Sequence, residues 1–550
     1  MLDKSTRTRR LIVSLLGGGF ALSVSVAAHA FTVDGSGHYA VRGEWQNNPG
    51  MNGGTGLHQA IAQSCRLLGE ARANDKGSFF LELRIFEPNG QTYWGDTPRS
   101  SQCRGRAAGD GDCLTPYQST LYPDYEPHQA KITQAYARYA FDYFILEAGR
   151  RSRSWGLGMF LNAGEDMFAP RASIFDGITL NVNLQQYQTL GFSLGYDKLT
   201  ETGAPVRDGL DTSADPKDKY GPTNGNDDVD QVFLSISYDD RQAYAGSTFT
   251  KEIGIYAARV HSGDVDKGGS STDLTYLDIF ANFNIASLIF KHETLITLGK
   301  SADPNLIKLG GSYFDSNSDV AVNKLNTFSF AGSLTYSLSR SGSFSGPPEF
   351  LEGDMVDHSL FAQYAYAPGD EEGYYNDRRI LDSSEEDDHS RSLGIAKRQN
   401  NRARAMALHP SFRPALILFN GREYLRDLAI DGIFDPGQLM NAQLYAAGYR
   451  YENLSIGQIE LKAIYARMNQ GIPAEVLDYY QGHGEVKRPV GFAGKSLGLE
   501  MDVTYTRKFG KNFSYGLAAG YLFAGKAWET IPNESARNSF LGQTFLGFNF

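Results

Sequence analysis

Hydrophobic and polar residues alternate with period two in segment after segment of this chain. In the stretch 497–506, Leu497, Leu499, Met501, Val503 and Tyr505 share one face, while Ser496, Gly498, Glu500, Asp502, Thr504 and Thr506 share the other. The next segment repeats the pattern, with Phe513, Tyr515, Leu517, Ala519, Tyr521 and Phe523 set against Ser514, Gly516, Ala518 and Gly520. Near the N-terminus Phe79, Leu81, Leu83 and Ile85 oppose Glu82 and Arg84. Such alternation predicts strands with one apolar and one polar face. Short connectors such as Asn74-Asp75-Lys76-Gly77, Asp239-Asp240-Arg241 and Phe509-Gly510-Lys511-Asn512 alternate with long polar ones near 88–128, 200–228, 300–324, 368–439 and 470–494. Short turns on one side and long loops on the other are the signature of an antiparallel transmembrane β-barrel. About 18 segments fit between Gly37 and Phe550, with 16 the nearest competitor; 242–262 reads as one long strand or two short pieces.

The first 30 residues form an export signal. Lys4, Arg7, Arg9 and Arg10 precede an apolar run from Leu11 to Ala28, and Ala28-His29-Ala30 is a small-residue cleavage site that predicts processing between Ala30 and Phe31. The barrel then occupies 31–550. At the other end, Leu546, Phe548 and Phe550 share one face of the last segment, an aromatic ending suited to closing a bacterial outer-membrane barrel. The expected site is therefore the bacterial outer membrane, with membrane lipid, lipopolysaccharide and the barrel-assembly machinery as partners.

Composition agrees. Of 550 residues 60 are Gly, 33 Phe and 31 Tyr, against only 4 Trp. Aromatics girdling the two membrane interfaces explain the excess. Four cations and one carboxylate leave with the leader, so the net charge of −11 becomes −14 in the mature chain. That acidity argues against nucleic-acid and anionic-lipid partners. Export permits disulfides. Cys103 and Cys113 bracket one loop and either pair or stay free, while Cys65 is left over. No histidine has metal-ligand spacing. Gly191-Phe192-Ser193-Leu194-Gly195 fits G-x-S-x-G, but it lies within an alternating strand and not at the strand-to-helix elbow that catalysis requires. No catalytic residue, metal or cofactor is expected, and an enzyme is the weakest reading.

Around 143–184 the chain resembles the alginate-export-like family of 18-stranded outer-membrane channels. The resemblance rests on Gly149-Arg150, on Trp155-Gly156-Leu157-Gly158, and on Phe175-Asp176-Gly177. Arg42-Gly43-Glu44-Trp45, Arg66, Asn74-Asp75 and Arg84 extend it over roughly 36–185. It implies a passive, monomeric channel whose lumen arginines attract an acidic polymer, since guanidinium forks suit carboxylates. Strand alternation assigns Arg42, Arg84, Arg138 and Arg151 to the lumen, with Glu44, Glu82 and Glu147 close by. The acidic chain and the carboxylates beside each arginine set this sequence apart from that substrate. The expected function is a channel for hydrophilic solutes or for export of a polar polymer; the alternative is a structural or surface-interaction barrel with a blocked lumen. The long loop 368–439 carries an acidic run from Asp370 to Asp388, then Arg391 to Arg404, then an apolar Ala415 to Phe419. Its two signs and its apolar tail predict a constriction or lid over the mouth.

Overall fold

In the computed structural model, residues 32–48, 51, 57–85, 131–169, 172–183, 189–199, 229–240, 249–262, 272–301, 323–338, 356–369, 402–403, 406, 408–409, 411–420, 438–453, 455–470, 494–529 and 535–550 are described. The leader, Cys103, Cys113 and the acidic run of the long loop lie outside them, as does 339–355. The wall consists of β1 (Thr32–Asn47), β2 (Leu57–Arg72), β3 (Gly77–Ile85), β4 (Lys131–Ala140), β5 (Phe144–Ser152), β6 (Ile174–Asn183), β7 (Leu190–Leu199), β8 (Val229–Asp239), β9 (Phe249–Ser262), β10 (Thr272–Ile285), β11 (Leu288–Ser301), β12 (Asn323–Ser337) and β13 (Val356–Ala367). It continues with β15 (Ala442–Asn453), β16 (Gly457–Met468), β17 (Ser496–Phe509), β18 (Phe513–Ala524) and β19 (Ser539–Asn549). A two-residue β14 (Arg402–Ala403) runs parallel to the top of β12, where β13 is too short to reach.

Each wall strand pairs antiparallel with its sequence neighbours, and β19 pairs with β1, so 18 strands close into a barrel. Closure removes the unpaired edges that lipid could not satisfy. The seam is tied at its lower end by Gly37 N–H to Phe550 O (2.8 Å) and Phe550 N–H to Gly37 O (2.9 Å). Leu546 and Phe548 stand opposite Val41 and Tyr39 on the same seam, and Leu546, Phe548 and Phe550 are all exposed on the outer face. The stretch 242–262 contributes one strand, β9.

The two faces differ as the alternation demands. Ile178, Leu194, Val232, Ile255, Leu298, Phe328, Leu461 and Met501 point outward and are exposed to the surroundings. Their strand neighbours Thr179, Gln231, Thr297, Thr327 and Glu500 point inward and are buried. Leu497 departs from the sequence expectation: it is fully buried, whereas Leu499 and Met501 on its nominal face are exposed. A register shift between Ala466 and Arg467, with Gly498 at φ 127°, inserts one residue there. Such a bulge turns the following side chain to the opposite face.

The barrel interior is not empty. Met51, Met159, Leu161, Leu408, Ile417, Leu418, Phe419, Leu439 and Met440 from the connecting segments pack with wall residues Phe233, Tyr256, Leu274, Leu295, Leu444 and Leu497 into one buried apolar cluster. Trp528, on a short 3-10 turn (Lys526–Trp528) after β18, joins it and donates its Nε1–H to Leu497 O at 2.7 Å.

Candidate functional site

The inward faces of β1 to β5 carry a column of arginines, each beside a carboxylate. Arg42 lies 3.3 Å from Glu44 and stacks over the Phe168 ring at 4.5 Å. Arg84 donates to Glu82 at 2.6 Å, and Glu82 also accepts from Thr133 (2.8 Å) and Gln134 (2.9 Å). Glu147 sits between Arg138 at 3.9 Å and Arg151 at 3.2 Å. The seven residues assigned to the lumen by alternation thus stand in three ion-paired groups, Arg42 with Glu44, Arg84 with Glu82, and Arg138 and Arg151 with Glu147. Of the four arginines Arg138 is the most open, with 42% of its side chain accessible against 7% for Arg151.

Sequence reasoning missed the rest of the site. Arg153 donates to both Asp197 oxygens (2.9 and 3.2 Å) while its guanidinium lies 3.9 Å over Phe233 and 4.6 Å over Phe175. It follows the end of β5, where alternation no longer predicts direction. Across the lumen the signs reverse: Asp278, Glu293, Glu500 and Asp502 on β10, β11 and β17 are buried on the inner wall. Their inward orientation was legible, but not what they hold.

They hold backbone. The segment 153–169 between β5 and β6 turns into the lumen through Gly156, Gly158 and Gly164, all at positive φ (56°, 76° and 65°), where a Cβ would be strained. On its way in, Leu157 N–H donates to Glu293. On its way back, its carbonyls face the arginine column. Arg66 donates to the carbonyls of Gly164, of Glu165 (2.9 Å) and of Asp166 (2.5 Å), and Arg84 donates to that of Ala163 (3.1 Å). The lumen charges therefore match the polarity of the inserted backbone: donors meet acid, acceptors meet arginine. A buried peptide group without such a partner would cost about 1–3 kcal/mol.

The second inserted segment, 411–420, is held in the same way. Ile417 and Leu418 N–H donate to the two Glu500 oxygens at 2.6 and 3.0 Å, and Leu416 N–H donates to Asp502 at 3.2 Å. Asn420 caps the turn through Leu416 O and Ile417 O, both at 2.8 Å. The two segments are latched to each other. His409 N–H donates to Met159 O at 2.8 Å, and Arg413 reaches Phe168 O (3.1 Å) and the Asp166 carboxylate (2.5 Å). Burial pushes the Asp166 carboxyl up, but Arg413, the Phe168 N–H, Arg42 and Arg66 outweigh it and hold it below the ordinary value.

The motif residues behind the family resemblance divide between this site and the outer rim. Gly149 faces Gly177 across β5 and β6. Arg150 and Asp176, one step on, form a two-pronged ion pair (2.8 and 2.7 Å) on the outer face. Trp155 packs on Tyr256, with ring centres 5.7 Å apart, and Gly158 N–H closes the turn onto Trp155 O at 2.9 Å. Phe175 is buried under Arg153. The G-x-S-x-G stretch lies inside β7, where Ser193 donates to Asn181 Oδ1 at 2.6 Å. Among the described residues no cluster of three or more His, Cys, Asp or Glu could hold a metal ion.

No protein-family model matches the chain, and no curated protein matches it, so the alginate-export-like resemblance is not confirmed. Solved structures similar to it include three Pseudomonas aeruginosa proteins. The outer membrane protein OpdK is 9% identical, with a TM-score of 0.42 over 94% of this chain and 99% of that one. OccK5 (OpdH) is 11% identical, with a TM-score of 0.41 over 94% and 98%. OccK2 (OpdF), solved in complex with glucuronate, is 9% identical, with a TM-score of 0.42 over 94% and 98%.

Proposed function

We propose that this protein is an outer-membrane channel for small hydrophilic solutes, narrowed from within by two inserted loops. The observation that carries the reading is the closed 18-stranded wall, apolar outside and charged inside, whose lumen arginines and carboxylates grip loop backbone. A wall of this kind needs lipid outside and water inside. The loops favour small solutes over a polymer, because Ile417, Leu418 and Phe419 lie fully buried within the barrel. Arg42, Arg84, Arg138 and Arg151 serve as the basic side of the passage, with Arg138 the most accessible to a passing anion. Glu44, Glu82 and Glu147 temper that attraction, so the expected selectivity is weakly anionic.

Planar-bilayer recording of the refolded chain tests this. Discrete steps with a reversal potential on the anion side of a salt gradient support it; strong cation selectivity would refute the role given to the arginines. Removing residues 380–430, which include the docked 411–420 segment, is expected to enlarge the steps, and unchanged conductance would remove the loop from the passage. The second reading, a structural barrel with a blocked lumen, draws on the same apolar packing. It predicts no steps in the full chain.

A further inference from the structure

The outer face at the loop end of the barrel carries an unbroken row of charged residues in lateral register. From β5 to β12 the partners run Arg150, Asp176, Lys198, Asp230, His261, Asp273, Lys300 and Lys324. The row has two unlike halves. From β5 to β8 the signs alternate and neutralise: Arg150 and Asp176 form their bidentate pair, and Asp230 accepts from Tyr196 at 2.7 Å. From β9 to β12 the cations predominate. Arg259, two residues below His261, pairs with Asp273 at 3.0 Å, and the same carboxylate lies within electrostatic reach of His261 and Lys300. Against the one carboxylate of Asp273 the arc sets Arg259, Lys300 and, on the next strand, Lys324, all exposed, a local surplus of two positive charges.

Directly below this arc the outer face turns apolar. Ile255, Ile279, Leu298 and Phe328, on the same four strands and the same face, are exposed at 44, 37, 46 and 48%. Cations stacked over exposed aliphatic and aromatic surface match a molecule with phosphates at its head and several acyl chains beneath. Free phosphate would use only the upper half. A mature net charge of −14 predicts repulsion of anionic lipid, yet the sign of this arc is opposite to that of the whole chain. Screening confines each charge to about 8–10 Å, so the arc acts locally.

We propose that the β9–β12 arc, with Arg259, Lys300 and Lys324 above Ile279, Leu298 and Phe328, binds the phosphorylated headgroup of an acylated glycolipid in the outer leaflet. The inference rests on the outer-membrane reading of the barrel. It makes one side of the wall the lipid-ordering side and leaves the neutralised β5–β8 side without that preference.

The test is native mass spectrometry of the full chain in detergent, titrated with a bis-phosphorylated acylated glycolipid, with its dephosphorylated counterpart, and with inorganic phosphate. The expected result is adducts with the phosphorylated glycolipid only. The double variant Lys300→Gln/Lys324→Gln should bind about thirty-fold more weakly, each cation near a charged lipid surface contributing a factor of about five. Lys511→Gln, in the opposite-end turn, should bind as the unmodified chain does. Equal binding of the dephosphorylated glycolipid would overturn the proposal in favour of apolar adsorption. Binding of inorganic phosphate with equal affinity would overturn the lipid assignment, and full retention in the double variant would overturn the site. Should the double variant fail to refold, the phosphate dependence of the unmodified chain still decides. Bilayer recording of the same preparation separates the two readings: adducts without conductance steps fail the channel, and steps without adducts fail this site.

Discussion

Replacing Glu500 with Gln tests whether the lumen carboxylates, and not apolar packing, hold the second inserted segment. Ile417, Leu418 and Phe419 are fully buried, and at about 2 kcal/mol per side chain their burial contributes on the order of 6 kcal/mol. Ordering about four residues costs roughly the same, at about 1.5 kcal/mol each. Apolar burial alone therefore leaves docking near balance. The deciding contribution is the set of three N–H to carboxylate bonds, from Ile417 and Leu418 to Glu500 and from Leu416 to Asp502. A hydrogen bond contributes about 1 kcal/mol, and one to a charged acceptor about 1.5–3 kcal/mol. Gln preserves the volume of Glu500 but offers one carbonyl where two oxygens now accept, and turns an NH2 toward the second N–H. The expected loss is about 2–3 kcal/mol, which raises the undocked population some 30- to 140-fold, at about 1.4 kcal/mol per tenfold. Hydrogen exchange of peptides spanning 411–420, followed by mass spectrometry in detergent, reads that population directly. Amides of Leu416 to Leu418 exchanging within threefold of the parent rate would refute the reasoning, provided β17 keeps its own protection.

Three further outcomes follow from the geometry. Arg66→Ala removes the donor to the carbonyls of Gly164, Glu165 and Asp166 and is expected to raise open-channel noise and expose the 153–169 segment to protease; an unchanged digestion pattern would count against its anchoring role. Gly149, at φ 126°, has no room for a side chain, since an added Cβ would lie 2.8 Å from Tyr136 Cα; Gly149→Val should cost about 2 kcal/mol or more, seen as lower heat-resistance of the folded band, and full resistance would contradict the strain. Because Asp166 titrates below the ordinary carboxyl value, its pairing with Arg413 is complete above about pH 4 and is lost only as pH falls through the depressed folded value. Noise from this latch should therefore stay flat between pH 8 and 5, while Asp166→Asn should show the acid-type noise already at pH 7; identical traces for the two proteins at pH 7 would exclude the latch.

Much of this molecule was legible in the chain itself. Period-two alternation sets which residues face inward, so Arg42, Glu44, Glu82, Arg84, Arg138, Glu147 and Arg151 are assignable to the inner wall from the sequence alone. The hairpin turns near 74–77 and 509–512 followed from the same signal, because lipid outside and water inside impose one apolar and one polar face on every strand. Alternation failed at Leu497, where a glycine bulge inserts one residue and reverses the faces. It was silent at Arg153, which lies beyond the end of its strand.

What only the tertiary structure decided is which partner each inward charge meets. Arg66 and Glu500 are more than four hundred residues apart and on different parts of the wall, yet both serve inserted backbone, one taking carbonyls and the other N–H groups. Neighbours in sequence pair Arg84 with Glu82, and local reading captures that. Closing 18 strands brings residues from distant segments around one interior, and a loop entering it exposes donors on one limb and acceptors on the other. Those groups are satisfied by whatever charge the closed wall presents there, a match set by register around the barrel and not by spacing along the chain.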